Sequence, residues 1–280
     1  MTDCIKELRE FFETDEHFKN IATWEEKLEK FKMFDISDID ENSIYSKCSS
    51  SYDQDDTYIA RLVMYAIWKN ELPELTNFDD IGTNKKYRGE TINTFNTLFR
   101  QDCCGIDKFL DNTPEDNKLK TIIKEFKKEY TTIGNFMLFP TDTDNNGKNI
   151  NLLKMSLSND FADLYFMSIW KDGLYEYVSN MGNINKKYFE KFKDYEYFCK
   201  VNFLTEYENN GKPKIVFDHA TDDKTGKYYT PYYWWTNWRS EDWKKSYKDF
   251  AENYIKQSRV IIKNRAEKIC NKLLPLLRDK

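Results

Sequence analysis

Apolar residues return every three or four positions from the start of the chain: Ile5, Leu8, Phe11 and Phe12, then Phe18, Ile21, Trp24, Leu28 and Phe31. This spacing predicts a helix over Asp3 to Thr14 and a second one ending near Phe34. The stretch from Asp35 to Asp56 is acidic, Ser-rich and aperiodic, and reads as a loop. Ile59, Leu62, Val63, Ala66 and Ile67 predict a third helix between Asp56 and Asn70, stopped by Pro73. A weaker pattern, Ile92, Phe95, Leu98 and Phe99, suggests a short helix.

The clearest helix start follows. Thr113 suits an N-cap, Pro114 the first helical position, and Glu115 and Asp116 face the positive end of the dipole. Leu119, Ile122, Ile123 and Phe126 form the buried stripe of that helix, and Gly134 reads as its terminator. Asn135 to Phe139 reads as a short strand halted by Pro140.

Beyond a polar loop, Phe161, Leu164, Tyr165, Ile169 and Trp170 predict a helix from about Asn159. Phe189, Phe192, Tyr195 and Phe198 predict another from Ile184 to Tyr207, with a short strand at Lys214 to Phe217. The last helix starts at Ser240 and carries Trp243, Tyr247, Phe250, Tyr254 and Ile261 over roughly 30 residues before Pro275. The expected fold is mainly α: a multi-helix globular bundle of about eight helices with two or three short strands and a long C-terminal helix. No repeat or Gly/Ser-rich linker divides the chain, so residues 1–280 read as one globular domain, with room for a helical N-terminal subdomain over 1–75.

Composition changes this picture at one point. Aromatic residues make up 16% of the chain, so Phe and Tyr take over much of the core usually built from Leu and Val. Charge is uneven. Residues 1–80 hold nine Lys and Arg against twenty Asp and Glu, whereas residues 240–280 hold eleven against six. Either the acidic front packs against the basic C-terminal helix, or that helix binds nucleic acid or a protein partner.

The six cysteines, Cys4, Cys48, Cys103, Cys104, Cys199 and Cys270, form no C-x-x-C pair, and His17 and His219 are the only histidines. No zinc framework can be written, and no metal or cofactor is expected. The apolar run Ile59 to Trp68 is broken by Arg61 and too short for a bilayer, and no secretory signal is visible. The expectation is a cytoplasmic protein with reduced thiols and no membrane association.

Asp142-Thr143-Asp144-Asn145-Asn146-Gly147 matches the first half of a calcium loop, but Leu153 stands where a bidentate Glu belongs, so a polar turn is the better reading. Phosphate-cradling and nucleophile-elbow motifs are absent. His17 lies on a charged helix. His219 follows Asp218, which could orient its imidazole, and is a candidate catalytic residue. The densest aromatic run spans Tyr228 to Trp238. Tyr233, Trp234, Trp235 and Trp238, with Arg239, could stack a nucleobase or another flat ligand. Packing beneath the C-terminal helix would use the same residues.

Thr132-Ile133-Gly134-Asn135, with Pro140 five residues on, resembles the T-[IL]-G-[GN]-x-x-x-x-P signature of a group of uncharacterised bacterial proteins. Tyr87 to Asn93, Asn149 to Asn151, Asp160 and Asp163, Phe203 to Tyr207, and Arg259 and Arg265 follow in similar order. The resemblance implies a bacterial or phage-borne cytosolic protein. Thr132 to Phe136 and Ser156 to Phe161 are also similar to HNH-type domains of modification-dependent restriction enzymes. This chain lacks their metal-binding histidines, because none lies between His17 and His219. The leading expectation is therefore a macromolecule-binding component of phage defence or of a mobile element. The alternatives are an enzyme with a polar site built from Arg88, Glu90, Asn93, Asn135 and Asp160, and a structural partner docked through the C-terminal helix.

Overall fold

The computed structural model describes residues 3–49, 53–72, 74–83, 85–94, 118–141, 161–176, 183–221, 228–229 and 241–279. Within them lie eight α-helices: α1 (Cys4–Thr14), α2 (Trp24–Phe31), α3 (Tyr58–Trp68), α4 (Lys118–Glu129), α5 (Ala162–Ile169), α6 (Asn183–Glu190), α7 (Tyr195–Asn202) and α8 (Glu241–Arg278). Strands occur in two-stranded antiparallel ladders. The longest pairs β1 (Tyr87–Thr91) with β2 (Phe136–Pro140), Gly89 opposite Leu138. The others pair β3 (Trp170–Lys171) with β4 (Leu174–Tyr175), β5 (Glu208–Asn209) with β6 (Lys212–Pro213), and β7 (Ala220–Thr221) with β8 (Tyr228–Tyr229). The mainly α expectation holds, and the long C-terminal helix is present.

Side-chain caps set several boundaries. Asp3 accepts from the Lys6 amide, Thr23 from Glu26 and Thr57 from Ala60, opening α1, α2 and α3. The second helix is therefore shorter than its apolar spacing suggests: Thr23 is extended, and Phe18 and Ile21 pack from a turn before it. The acidic stretch after Phe34 contains short 3-10 turns, Ile36–Asp38, Ile44–Ser46 and Gln54–Asp56. In the first two, Asp35 and Ser43 accept amide protons two residues ahead, as short polar side chains do in turns.

Three expectations fail. The helix expected over Ile184 to Tyr207 is cut in two, because Asp194 turns extended and caps α7, and Phe203 ends it in a left-handed conformation. No strand forms at Lys214 to Phe217, whose amides at Val216 and Phe217 bind the Asp163 carboxylate instead. Pro275 does not stop the last helix, which continues to Arg278. Arg9 reaches across to the carbonyls of Leu276 and Leu277 in that final turn. The helix start expected at Thr113 and Pro114, the short helix beyond Phe95 and the Asp142 to Gly147 turn lie outside the described residues.

Helix α8 is the spine. It packs on α1, α2, α3, α4 and the 3-10 turn Ile133–Asn135. One continuous buried core runs from Cys4 to Leu277 and is largely aromatic. Phe11, Phe12, Phe18, Phe31 and Phe34 interlock edge to face near the N-terminus. Phe166, Trp170, Phe189, Tyr195 and Phe198 do so around α5 to α7. Such ring pairs contribute ~0.5–1.5 kcal/mol each beyond the area they bury.

The charge asymmetry is partly resolved inside the fold. Glu25 pairs with Arg278 and Glu71 with Lys272, joining the acidic front to the C-terminal helix. Among the described residues no helix is long and apolar enough to cross a membrane.

Candidate functional site

The polar residues singled out in the sequence fall into separate groups. Asn135 and Asn93 form the first. The Asn93 amide donates to Asn135 Oδ1 at 2.9 Å, and Asn135 Nδ2 donates to the carbonyls of Asn93 at 2.7 Å and Tyr130 at 2.8 Å. Tyr207 closes the group by donating to Asn93 Oδ1 at 2.7 Å. All three side chains are buried. Asn135 thus does cap the end of the α4 segment through Tyr130, but it mainly staples the chain beyond β1 to the start of β2.

Gly134 acts differently from the helix terminator expected. A Cβ there would lie 2.1 Å from the Ile262 carbonyl oxygen, so only glycine lets this turn touch the backbone of α8. Arg265 of α8 donates to the carbonyls of Gly134, Phe136 and Asn202 from a wholly buried position. The Thr132 to Pro140 signature is therefore a packing device that seats the β1–β2 ladder on α8.

Arg88 and Glu90 form the second group. They share a side of β1, as residues two apart in a strand do, and Arg88 Nε stands 2.9 Å from Glu90 Oε1. Arg88 also faces Asp53 Oδ2 at 3.6 Å. The turn Gln54–Asp56 brings Asp55 onto the same strand, where Thr91 Oγ1 donates to Asp55 Oδ2 at 3.0 Å. Glu90 is 3% exposed and Asp55 5%. Burial first, and the neighbouring Glu90 second, push the Asp55 carboxyl up to about 8, against the pull of Arg88. Asp56 faces elsewhere, accepting from Ser49 and Thr83.

His219 belongs to a third group. Its orienting partner is not the adjacent Asp218 but Asp163 on α5, whose two oxygens lie 3.1 Å from Nε2. Asp163 also accepts the amides of Leu164 at 2.8 Å, Val216 at 3.0 Å and Phe217 at 3.1 Å. Both side chains are 0% exposed, and rings of Phe161, Phe217 and Phe250 surround the imidazole. His219 Nδ1 is buried without a hydrogen-bond partner. With the carboxylate accepting from Nε2–H, Nδ1 carries the bare lone pair. The pair ties α5 to the segment after β6 and is closed to solvent. Asp163→Asn should lower stability by about 2 kcal/mol, since one amide oxygen replaces an acceptor of four donors. Urea unfolding measures this, and a change under half that size would contradict the role.

The remaining candidates give less. Asp160, Tyr233, Trp234, Trp235, Trp238 and Arg239 lie outside the described residues. His17 accepts no role beyond its Asp15 contact at 3.0 Å and packing on Phe34. The described cysteines are free, and burial pushes the thiols of Cys4 and Cys270 up to about 12, far from a nucleophilic thiolate. No metal-holding group of three His, Cys, Asp or Glu exists among the described residues.

Asp55 escapes the sequence pattern entirely, and Asp163 stands out there only as a helix residue. Neither sits in a spacing that betrays its partner, because each meets it across more than 30 residues. Comparison of the chain with protein-family models, with curated proteins and with solved structures finds no match to any of the three.

Proposed function

We propose that this protein is a binding component for a macromolecule, most simply single-stranded nucleic acid, and that the aromatic segment from Tyr228 to Arg239 makes the contact. The observation that supports this is the fate of the cations on α8. Arg259 is held by Glu129 and Glu125, Lys268 by Thr205 and Glu206, Lys272 by Glu71 and Arg278 by Glu25. Arg265 is buried on carbonyls. A phosphate backbone would have to compete with all of these, so α8 acts as an internal spine. That moves the proposed contact from the basic helix to the stacking chemistry of Tyr233, Trp234, Trp235, Trp238 and Arg239. In the sequence this run joins β8 to α8. The enzyme alternative built on Arg88, Glu90, Asn93, Asn135 and Asp160 has less support, because Asn93 and Asn135 are consumed by each other and by Tyr207.

Fluorescence anisotropy with a labelled single-stranded oligonucleotide tests the reading. Each stacked base contributes ~1–3 kcal/mol, so Trp234→Ala with Trp235→Ala should weaken binding about tenfold or more. Wild-type protein that fails to bind, or a double variant that keeps its helical circular dichroism and binds equally well, would refute it.

A further inference from the structure

We propose that Asp55 and Glu90 share a single proton and that this makes the seam between the Gln54–Asp56 turn and β1 a pH-gated latch. The turn rests directly on the strand: at Gly89 a Cβ would lie 2.1 Å from the Asp55 carbonyl oxygen and 2.8 Å from Met64 Cε. That closeness carries two carboxyl side chains, each more than nine-tenths buried, into one environment.

Their surroundings are uneven. From β1, Arg88 contacts Glu90, and Thr91 donates to Asp55 Oδ2. From the turn, the exposed Asp53 takes a second share of Arg88. Tyr130, just beyond α4, and Tyr165, on α5, are neutral phenols whose ionisation is opposed by Asp55 and Glu90 respectively. Asp55 Oδ1 is buried with no hydrogen-bond acceptor or donor against it. A bare carboxylate oxygen in that position would be costly, whereas a protonated carboxyl needs far less solvation.

The direction of the pH effect follows. The folded pair keeps its proton to about pH 8, while an unfolded aspartate releases it near ~4. Between those values the folded state binds more protons, so stability falls as pH rises and levels off above the upper one. The proton belongs to the pair, and the titration is a property of both residues. Deprotonation leaves two negative charges against Arg88 and loosens the turn from the strand.

The test is equilibrium urea unfolding of the full chain from pH 5 to pH 9, for wild type, Asp55→Asn and Glu90→Gln. The ratio of wild-type to Asp55→Asn unfolding constants should rise on the order of 100-fold across this range, and Glu90→Gln should flatten the wild-type slope likewise. A ratio that stays constant with pH, as a purely structural role requires, would overturn the proposal. If the variants do not fold, infrared spectra of wild type labelled at aspartate decide it. A protonated aspartic carboxyl band at pH 7 that fades by pH 9 supports the latch, and its absence at pH 7 overturns it.

Discussion

Arg265→Ala is expected to destabilise the protein by about 4 kcal/mol, a large loss for one side chain. The guanidinium is 0% exposed and donates at 3.0 Å to Phe136 and at 3.3 Å, from both Nε and Nη2, to Asn202, besides its Gly134 bond. Burial lowers its pKa to about 10, so it is charged at neutral pH and all its attractions are to carbonyl dipoles. Alanine would leave carbonyls of three segments without their donor, each costing ~1–3 kcal/mol, and would open a cavity. Relief from burying a charge returns part of that sum. Arg265→Lys should recover less than half, because one ammonium on a flexible stem cannot span the 3-10 turn, β2 and the end of α7 together. Urea denaturation measures both variants; a loss below about 1 kcal/mol for alanine would mean the carbonyls find other partners.

Gly134→Ala should cost about 3 kcal/mol. The new methyl would meet the Ile262 carbonyl oxygen at 2.1 Å, the Ala266 Cβ at 2.9 Å and the Ala266 amide nitrogen at 2.9 Å. None of these is the free end of a flexible side chain, so α8 itself must retreat. Retreat would lengthen the Arg265 bonds to the same turn. The two substitutions should therefore be non-additive, the double variant losing clearly less than the sum of the singles. A small gain from the stiffer unfolded chain, ~0.4–1 kcal/mol, works against the loss and is included in this figure. Additive losses in a double-mutant cycle would show that the two residues hold the interface independently.

Much of the helical framework was legible in the sequence. The apolar faces of α1, α3 and α4, the strand after Gly134 and the long C-terminal helix all follow from periodicity and caps that act within a few residues. β1 was not legible as a strand. Its inward positions include Arg88, Gly89 and Glu90, and polar residues are buried there only because Asp55 and its turn arrive from elsewhere in the chain. The break between α6 and α7 was hidden for a related reason. Aromatic spacing continues through Phe192 and Tyr195, while the deciding event is the Asp194 cap.

The candidate groups divide in the same way. Residue types at Asn135, Gly134, Arg88, Glu90 and His219 marked these positions as worth attention, but spacing suggested the wrong neighbours for several of them. His219 leans on Asp163, not Asp218, and Gly134 touches Ile262 where a local helix stop was expected.

That the chain is mainly helical, aromatic in its core and closed by a long C-terminal helix could be read from the order of its residues, since those properties depend on interactions between near neighbours. What the polar residues do could be read only from the folded chain. A buried donor, acceptor or charge must be matched by whatever the fold places against it, and here those partners, Asn93 for Asn135, the Gly134 carbonyl for Arg265 and Glu90 for Asp55, lie 42, 131 and 35 residues away.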